Sequence, residues 1–166
     1  MNKAIFLDRD GVINKRLIGD YVKSIEEFQI LPKVRETIIE LKNKGYVIII
    51  ITNQQGIGKG LMSKEDLEFI HKYMVKEIPE IDDIYYCPHL EGTCNCRKPK
   101  PGMLINASKK WNINFKNSWM IGDSESDILA GKSVGCKTIK IQENITKNTA
   151  GDYVVNNLYG ALDIIL

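Results

Sequence analysis

The sequence predicts a three-layer α/β domain with a mostly parallel central sheet. Three observations carry this. Short apolar runs of strand length alternate with longer stretches of helical periodicity. The polar residues that bear chemistry stand directly after the apolar runs, and parallel sheets bind ligands beyond the carboxyl ends of their strands. The chain has 166 residues, 43% hydrophobic and 27% charged, which is the composition of one ordinary globular domain spanning residues 1–166.

In chain order, Ala4–Leu7 reads as a short buried strand. After Pro32, the residues Val34, Ile38, Ile39 and Leu41 recur at helical spacing, and Gly45 stops that helix. Residues 47–51 are continuous in isoleucine after Val47 and read as a strand buried on both faces. Residues 63–78 read as a helix: Ser63 and Asp66 form a capping-box pattern, and Leu67, Ile70, Met74 and Ile78 share one face. Residues 84–86, 119–121, 138–141 and 153–155 are further short strands, with helices over 103–111 and 126–134. The tail from Gln142 to Leu166 supplies a closing strand and helix.

Lys and Arg number 23 against 21 Asp and Glu, and the resulting +2 is too small for a surface that coats nucleic acid. No apolar run is long enough to cross a bilayer. Ala4–Leu7 is too short for a signal-peptide core, and Asp8 follows at once. The expectation is a cytoplasmic protein with no membrane or nucleic-acid partner. Without an apolar heptad, monomer is the default.

Asp8 and Asp10 stand two apart at a strand end, and Asp123 ends another strand. Carboxylates that close repel unless a cation or proton lies between them. An all-carboxylate set with no histidine suits a hard cation such as Mg²⁺, which commonly shares its shell with a phosphate. Taken singly, each aspartate also fits an Asx turn or a helix cap. Thr52 and Asn53 offer a hydroxyl and backbone N–H groups at the second strand end, before a loop carrying Gly56, Gly58, Lys59 and Gly60 that can cradle an anion. Lys98, between Arg97 and Pro99, would neutralise transferred negative charge if it reaches the carboxylates.

Cys87, His89, Cys94 and Cys96 crowd one loop in the pattern C-x-H-x₄-C-x-C. Three thiols and an imidazole are a structural zinc set, and with all four positions filled the metal has no open site for catalysis. The alternative is four ordinary side chains in a surface loop. Cys136 stands apart and reads as a core thiol. Because Cys96 runs directly into Arg97 and Lys98, closing the loop on zinc would fix where those cations point.

Together these segments resemble the haloacid dehalogenase (HAD) phosphotransferase superfamily, whose core is Rossmann-like. The match covers residues 8–12 (Asp-Arg-Asp-Gly-Val), Thr52-Asn53, Lys98 and residues 122–127 (Gly-Asp-Ser-Glu-Ser-Asp), in the family's order and each after an expected strand. The resemblance implies a phosphatase acting through an aspartyl-phosphate. Asp8 would be the nucleophile and Asp10 the general acid and base. Thr52 and Lys98 would bind the phosphoryl oxygens, and Mg²⁺ would sit on Asp8, the Asp10 main-chain carbonyl and Asp123. Asp127 is open between two readings: the metal's outer shell, or a capping box with Ser124. Val12 departs from the threonine common at that place, beside the chemistry rather than in it.

The connections after Asp10 and after Thr52 are too short for a full cap domain. The zinc loop running into residues 97–103 (Arg-Lys-Pro-Lys-Pro-Gly-Met) is similar to the histidinol-phosphatase-like subfamily. That subfamily holds D-glycero-D-manno-heptose 1,7-bisphosphate 7-phosphatases and histidinol phosphatases, and the Pro-Gly-Met stretch resembles the heptose enzymes. By that resemblance the substrate is a small sugar bisphosphate, contacted by Asp20, Tyr21, Asn53, Gln54, Gln55 and Arg97. Lys59 stands where the heptose pattern has Arg, which keeps the charge but loses the planar fork. Histidinol phosphate is the alternative substrate. A polynucleotide 3′-phosphatase shares related motifs but not this loop. A different class, a zinc-stabilised binding domain without chemistry, would have no need of Asp8, Asp10, Lys98 and Asp123 together.

Overall fold

The structure, a computed structural model, describes residues 1–145 and 148–166; the tail expectation is therefore tested only outside residues 146 and 147. In chain order the strands are β1 (Ala4–Leu7), β2 (Val47–Asn53), β3 (Asp83–Cys87), β4 (Trp119–Gly122), β5 (Lys137–Ile141) and β6 (Tyr153–Val155). They form one sheet in the order β3-β2-β1-β4-β5-β6, with every neighbouring pair parallel. The helices are α1 (Val34–Asn43), α2 (Gln55–Gly58), α3 (Lys64–Glu77), α4 (Gly102–Trp111), α5 (Glu125–Val134) and α6 (Leu162–Ile165).

Alternation along the strands builds the layers, because successive side chains of a strand point to opposite faces. Ile5, Leu7, Ile48 and Ile50 pack with Val34, Ile38 and Leu41 of α1 and with Leu67, Ile70 and Met74 of α3. Ala4, Phe6, Ile49 and Ile51 pack with Met103, Leu104 and Ala107 of α4 and with Ala130 of α5. The isoleucine run of β2 is thus covered from both sides, and each of its side chains contributes about 2 kcal/mol by leaving water. Ser63 caps α3 as its sequence signalled: its Oγ accepts from the Asp66 N–H at 3.0 Å, and its own N–H donates to Asp66 Oδ2 at 2.9 Å.

Two local expectations are corrected. Residues 55–58 form a helical turn, not an open glycine loop. Only Gly60, at φ +73°, is a glycine used for its handedness there; a Cβ on Gly58 would lie 2.7 Å from the Pro88 carbonyl oxygen, so Gly58 is there for close approach. The stretch after Asp10 is not a simple loop either. Val12, Ile13, Val22 and Phe28 enter the core, and the Leu31 N–H donates to the Ile13 carbonyl at 2.9 Å. Beyond that packed segment and α1, nothing is inserted between β1 and β2, so no second sheet forms there among the described residues. No described helix is long and apolar enough to cross a membrane.

The chain reverses its direction of travel across the sheet at β1, with β2 and β3 on one side and β4 to β6 on the other. That switch opens a crevice at the carboxyl edge. Asp8 follows β1 there, and its N–H donates to the Ile121 carbonyl of β4 at 3.0 Å.

Candidate active site

Three strand ends and one loop meet in this crevice. Asp8, Asp123 and Asp127 bring carboxylate oxygens within 4.8 Å of one another. Lys98 is buried among them: its Nζ donates to Asp8 Oδ1 at 3.0 Å, to Asp127 Oδ1 at 2.5 Å and to the Ile51 carbonyl at 2.8 Å. All three ammonium protons are thereby used, and one lysine ties β1, β2 and the start of α5. Burial would lower Lys98, but the Asp127 and Asp8 carboxylates outweigh it and hold the amine well above its ordinary range. Burial, and next Asp127, push Asp8 well up. Burial also raises Asp123, against the pull of Arg16. Such a set asks for more positive charge than Lys98 supplies, and hard oxygen donors fit a small divalent cation.

Of the two readings left open by its sequence, Asp127 takes the capping box with Ser124, and its other oxygen also faces Lys98 in the carboxylate cluster. Its Oδ2 accepts from the Ser124 N–H at 3.1 Å and the Ser124 hydroxyl at 2.9 Å, while its Oδ1 faces Lys98. A Cβ on Gly122 would fall 2.1 Å from Asp127 Oδ2, and one on Gly11 would fall 2.0 Å from Asp123 Oδ2. Both glycines leave room for carboxylates.

The Asp10 side chain lines the same cavity as Asp8 and is held by donors. Arg9 Nη2 and Asn14 Nδ2 each donate to its Oδ1 at 2.9 Å, and Gln54 Nε2 donates to its Oδ2 at 3.0 Å. Burial would raise Asp10; the Arg9 charge and these hydrogen bonds outweigh it and lower it. Arg9 is wholly buried, and its Nη1 donates to His71 Nε2 at 3.1 Å. Since guanidinium only donates, His71 must be neutral with its proton on Nδ1. Burial, reinforced by Arg9, pushes His71 down to about 3.

A cavity of about 520 Å³ opens over this cluster. Of the expected substrate contacts, Asp20, Tyr21, Asn53, Gln55 and Arg97 line it. Asn53 also locks the lysine loop, its Oδ1 accepting from the Lys98 N–H at 3.0 Å. Gln54 is different. It is buried, donating to Asp10 and to Thr52 Oγ1 at 2.9 Å, so it positions the machinery instead of lining the cavity. Lys59 lines the cavity beside Tyr21. Sequence reasoning missed Arg16, whose Nη2 reaches Asp123 Oδ1 at 2.9 Å, and the pair Asn14 and His71 behind Asp10. No local pattern marks these; only the fold of residues 11–31 and the placing of α3 bring them in.

Cys87, at the end of β3, His89, Cys94 and Cys96 turn their ligand atoms together within 4.8 Å. Cys87 Sγ lies 3.4 Å from His89 Nδ1 and 3.4 Å from Cys94 Sγ, and His89 Nδ1 lies 3.2 Å from Cys96 Sγ. The donor set is one for tetrahedral zinc, but Cys87 Sγ and Cys96 Sγ stand 2.9 Å apart, closer than the roughly 3.8 Å between two thiolates on one zinc, so seating the ion requires this pair to spread. None of these cysteines is in a disulfide. The Arg97 N–H points at Cys94 Sγ at 3.4 Å; burial would raise this thiol, but that N–H and its neighbours bring it down to about 6. Gly58 and Gly102 press on the loop from two sides: a Cβ on Gly102 would lie 2.5 Å from the Asn95 carbonyl oxygen. Cys136 is apart in the core, as expected.

The HAD-hydrolase-like family model matches residues 95–161. The D-glycero-beta-D-manno-heptose-1,7-bisphosphate 7-phosphatase of Pasteurella multocida is 38% identical, over 95% of this chain and 94% of that protein. The D-glycero-alpha-D-manno-heptose-1,7-bisphosphate 7-phosphatase of Campylobacter jejuni is 43% identical, over 82% of this chain and 80% of that one. The crystal structure of D,D-heptose 1,7-bisphosphate phosphatase from B. bronchiseptica, complexed with magnesium and phosphate, superposes with a TM-score of 0.89 at 29% identity, covering 98% of this chain and 97% of the other. With the carboxylate crevice, the buried lysine and the relatives all in agreement, the chain belongs to the HAD-like phosphatase family that holds these heptose-bisphosphate phosphatases.

Proposed function

We propose that the protein removes the 7-phosphate of D-glycero-D-manno-heptose 1,7-bisphosphate and releases heptose 1-phosphate. The observation that carries this is the Asp8 carboxylate, bonded to buried Lys98 at the carboxyl edge and open to a cavity that Arg97 and Lys59 also line. One cluster suits the phosphoryl group that leaves, and the second pair of cations suits the phosphate that stays.

In this reading a carboxylate oxygen of Asp8 attacks phosphorus in line, and the bond from phosphorus to the sugar oxygen breaks. Asp10 gives its proton to that oxygen. The donors around Asp10 hold it ionised in the free protein, so the acid form draws on the negative charge of the incoming substrate. Asp10 then takes a proton from the water that attacks the aspartyl-phosphate, which restores the Asp8 carboxylate and frees phosphate. Lys98 takes a phosphoryl oxygen by releasing one of its three present partners, and the Thr52 hydroxyl takes another, its proton free to donate because its Oγ1 accepts from Gln54. Asp8, Asp123 and the Asp10 carbonyl would hold Mg²⁺, with Asp127 outside them; when bound, it offsets charge on the carboxylates and the phosphoryl group. Cys87, His89, Cys94 and Cys96 would hold a structural Zn²⁺. The remaining expectations go with this reading: a monomer of one domain, residues 1–166, in a reducing cytoplasm.

The test is phosphorus NMR of the bisphosphate during turnover. Loss of the 7-phosphate signal with the 1-phosphate retained is expected, and Asp8→Asn should slow it at least a thousandfold. Loss of the 1-phosphate, or full activity in Asp8→Asn, would overturn the assignment.

A further inference from the structure

Arg16 has a place that the proposed chemistry does not use. It lies on the packed segment after Asp10, and its Nη2 donates to Asp123 Oδ1 at 2.9 Å and stands 3.9 Å from Asp8 Oδ2. The remaining oxygen of Asp8, Oδ1, is already committed to Lys98 Nζ and to the Arg9 N–H at 2.9 Å. Arg16 therefore bonds one oxygen of Asp123 and stands near the Asp8 oxygen that Lys98 and Arg9 leave open, so it occupies space between the two carboxylates that a cation would need. Its side chain is 45% exposed, so packing does not fix it in that position. It also lines the cavity together with Lys59 and Arg97.

We propose that Arg16 is a resident counter-charge of the Asp8–Asp123 pair, which the divalent cation displaces, and that the displaced guanidinium turns to the second phosphate of the substrate. The inference rests on the reading of these carboxylates as the cation site. A guanidinium and a divalent ion cannot share the same two oxygens. Cation binding must first break the Arg16 pair, and its apparent affinity falls by the fraction of protein in which the pair is closed. Once the ion is seated, the two carboxylates and the dication sum to zero charge. Nothing then holds Arg16 at the ion, and like charge pushes it outward. The strongest anion within the same cavity is the substrate phosphate that is not being cleaved. A planar fork suits a phosphate there, where a point charge would bind less specifically. One flexible arginine would thus couple cation entry to recognition of a doubly phosphorylated substrate.

The experiment uses Mn²⁺ as the probe, with free ion counted by EPR on the full chain without substrate. Arg16→Gln should bind Mn²⁺ about fivefold tighter than wild type, the scale of a partly exposed ion pair. At saturating Mg²⁺, the same variant should lose at least tenfold in kcat/KM toward the bisphosphate, with Arg16→Lys recovering part of it. The loss should be smaller toward p-nitrophenyl phosphate, which has no second phosphate, and an equal loss on both substrates overturns the turn toward that phosphate. Equal Mn²⁺ affinity in wild type and Arg16→Gln overturns the counter-charge. Tighter Mn²⁺ with unchanged bisphosphate kinetics overturns the turn toward the second phosphate. Asp123→Asn separates the two levels: if it binds Mn²⁺ as wild type does, the cation-site reading itself fails and this inference falls with it.

Discussion

At the residue scale, the site depends on a few groups whose partners are fully specified. His71 makes this measurable because its pKa in the folded protein is about 3, against an ordinary value of 6.5. Between those values the unfolded chain takes up a proton that the folded chain refuses. The contribution of His71 is therefore complete above pH 6.5 and is lost as pH falls toward 3. By pH 5 the loss amounts to about 2 kcal/mol relative to pH 7. His71→Gln keeps an acceptor for Arg9 without taking a proton, so urea unfolding at pH 7 and pH 5 should show a stability drop smaller by about that amount. An identical drop would mean that His71 titrates normally. The candidate nucleophile, acid, lysine and third carboxylate were legible in the sequence because each directly follows a strand or a motif of fixed spacing. Arg9, Asn14 and His71 were not, because they act on Asp10 through contacts up to 62 positions apart, as in the Arg9–His71 bond. Gln54 was legible as a site residue but not in its role; its neighbours Asn53 and Gln55 line the cavity while it turns inward to Asp10.

At the scale of elements, strands and long helices followed directly from periodicity, and the short pieces did not. Each of the six strands was expected, but β2 extends to Asn53 because Thr52 and Asn53 pair with Tyr86 and Cys87 of β3. No single-segment pattern contains that pairing. The turn over 55–58 was missed for a related reason: its glycines answer to the Tyr21 ring and the Pro88 carbonyl, which are remote in sequence. Two substitutions separate support from chemistry. Ser63→Ala removes the α3 cap and should cost about 1 kcal/mol in thermal or urea unfolding, with KM unchanged. Gly102→Ala would thrust a Cβ to 2.5 Å from the Asn95 carbonyl oxygen. It should release zinc on dialysis, measured by elemental analysis, and raise KM severalfold. Under the proposal that Cys87, His89, Cys94 and Cys96 hold zinc, treating wild type with a chelator, Mg²⁺ kept saturating, should raise KM in the same way, since Arg97 and Lys98 follow Cys96 directly. Unchanged kinetics with the zinc demonstrably gone would show that the loop does not preorganise the pocket.

At the scale of the whole molecule, a parallel sheet that reverses direction at β1 gathers residues from four separate segments at one edge. The walls come from the packed segment after Asp10, from Asn53, Gln55 and Lys59 around α2, from Arg97 and Lys98, and from the start of α5. Lys59 and Arg97 line the cavity besides the Lys98 cluster and its Arg16 partner, and this surplus of cations supports the reading of a doubly phosphorylated substrate. The central claim is therefore one of substrate choice. It is tested by phosphate release with saturating Mg²⁺ from both anomers of heptose 1,7-bisphosphate and from histidinol phosphate, side by side. A kcat/KM at least a hundredfold higher for a bisphosphate anomer is expected, equivalent to about 2.7 kcal/mol of discrimination in the transition state. Equal or greater kcat/KM for histidinol phosphate would contradict it.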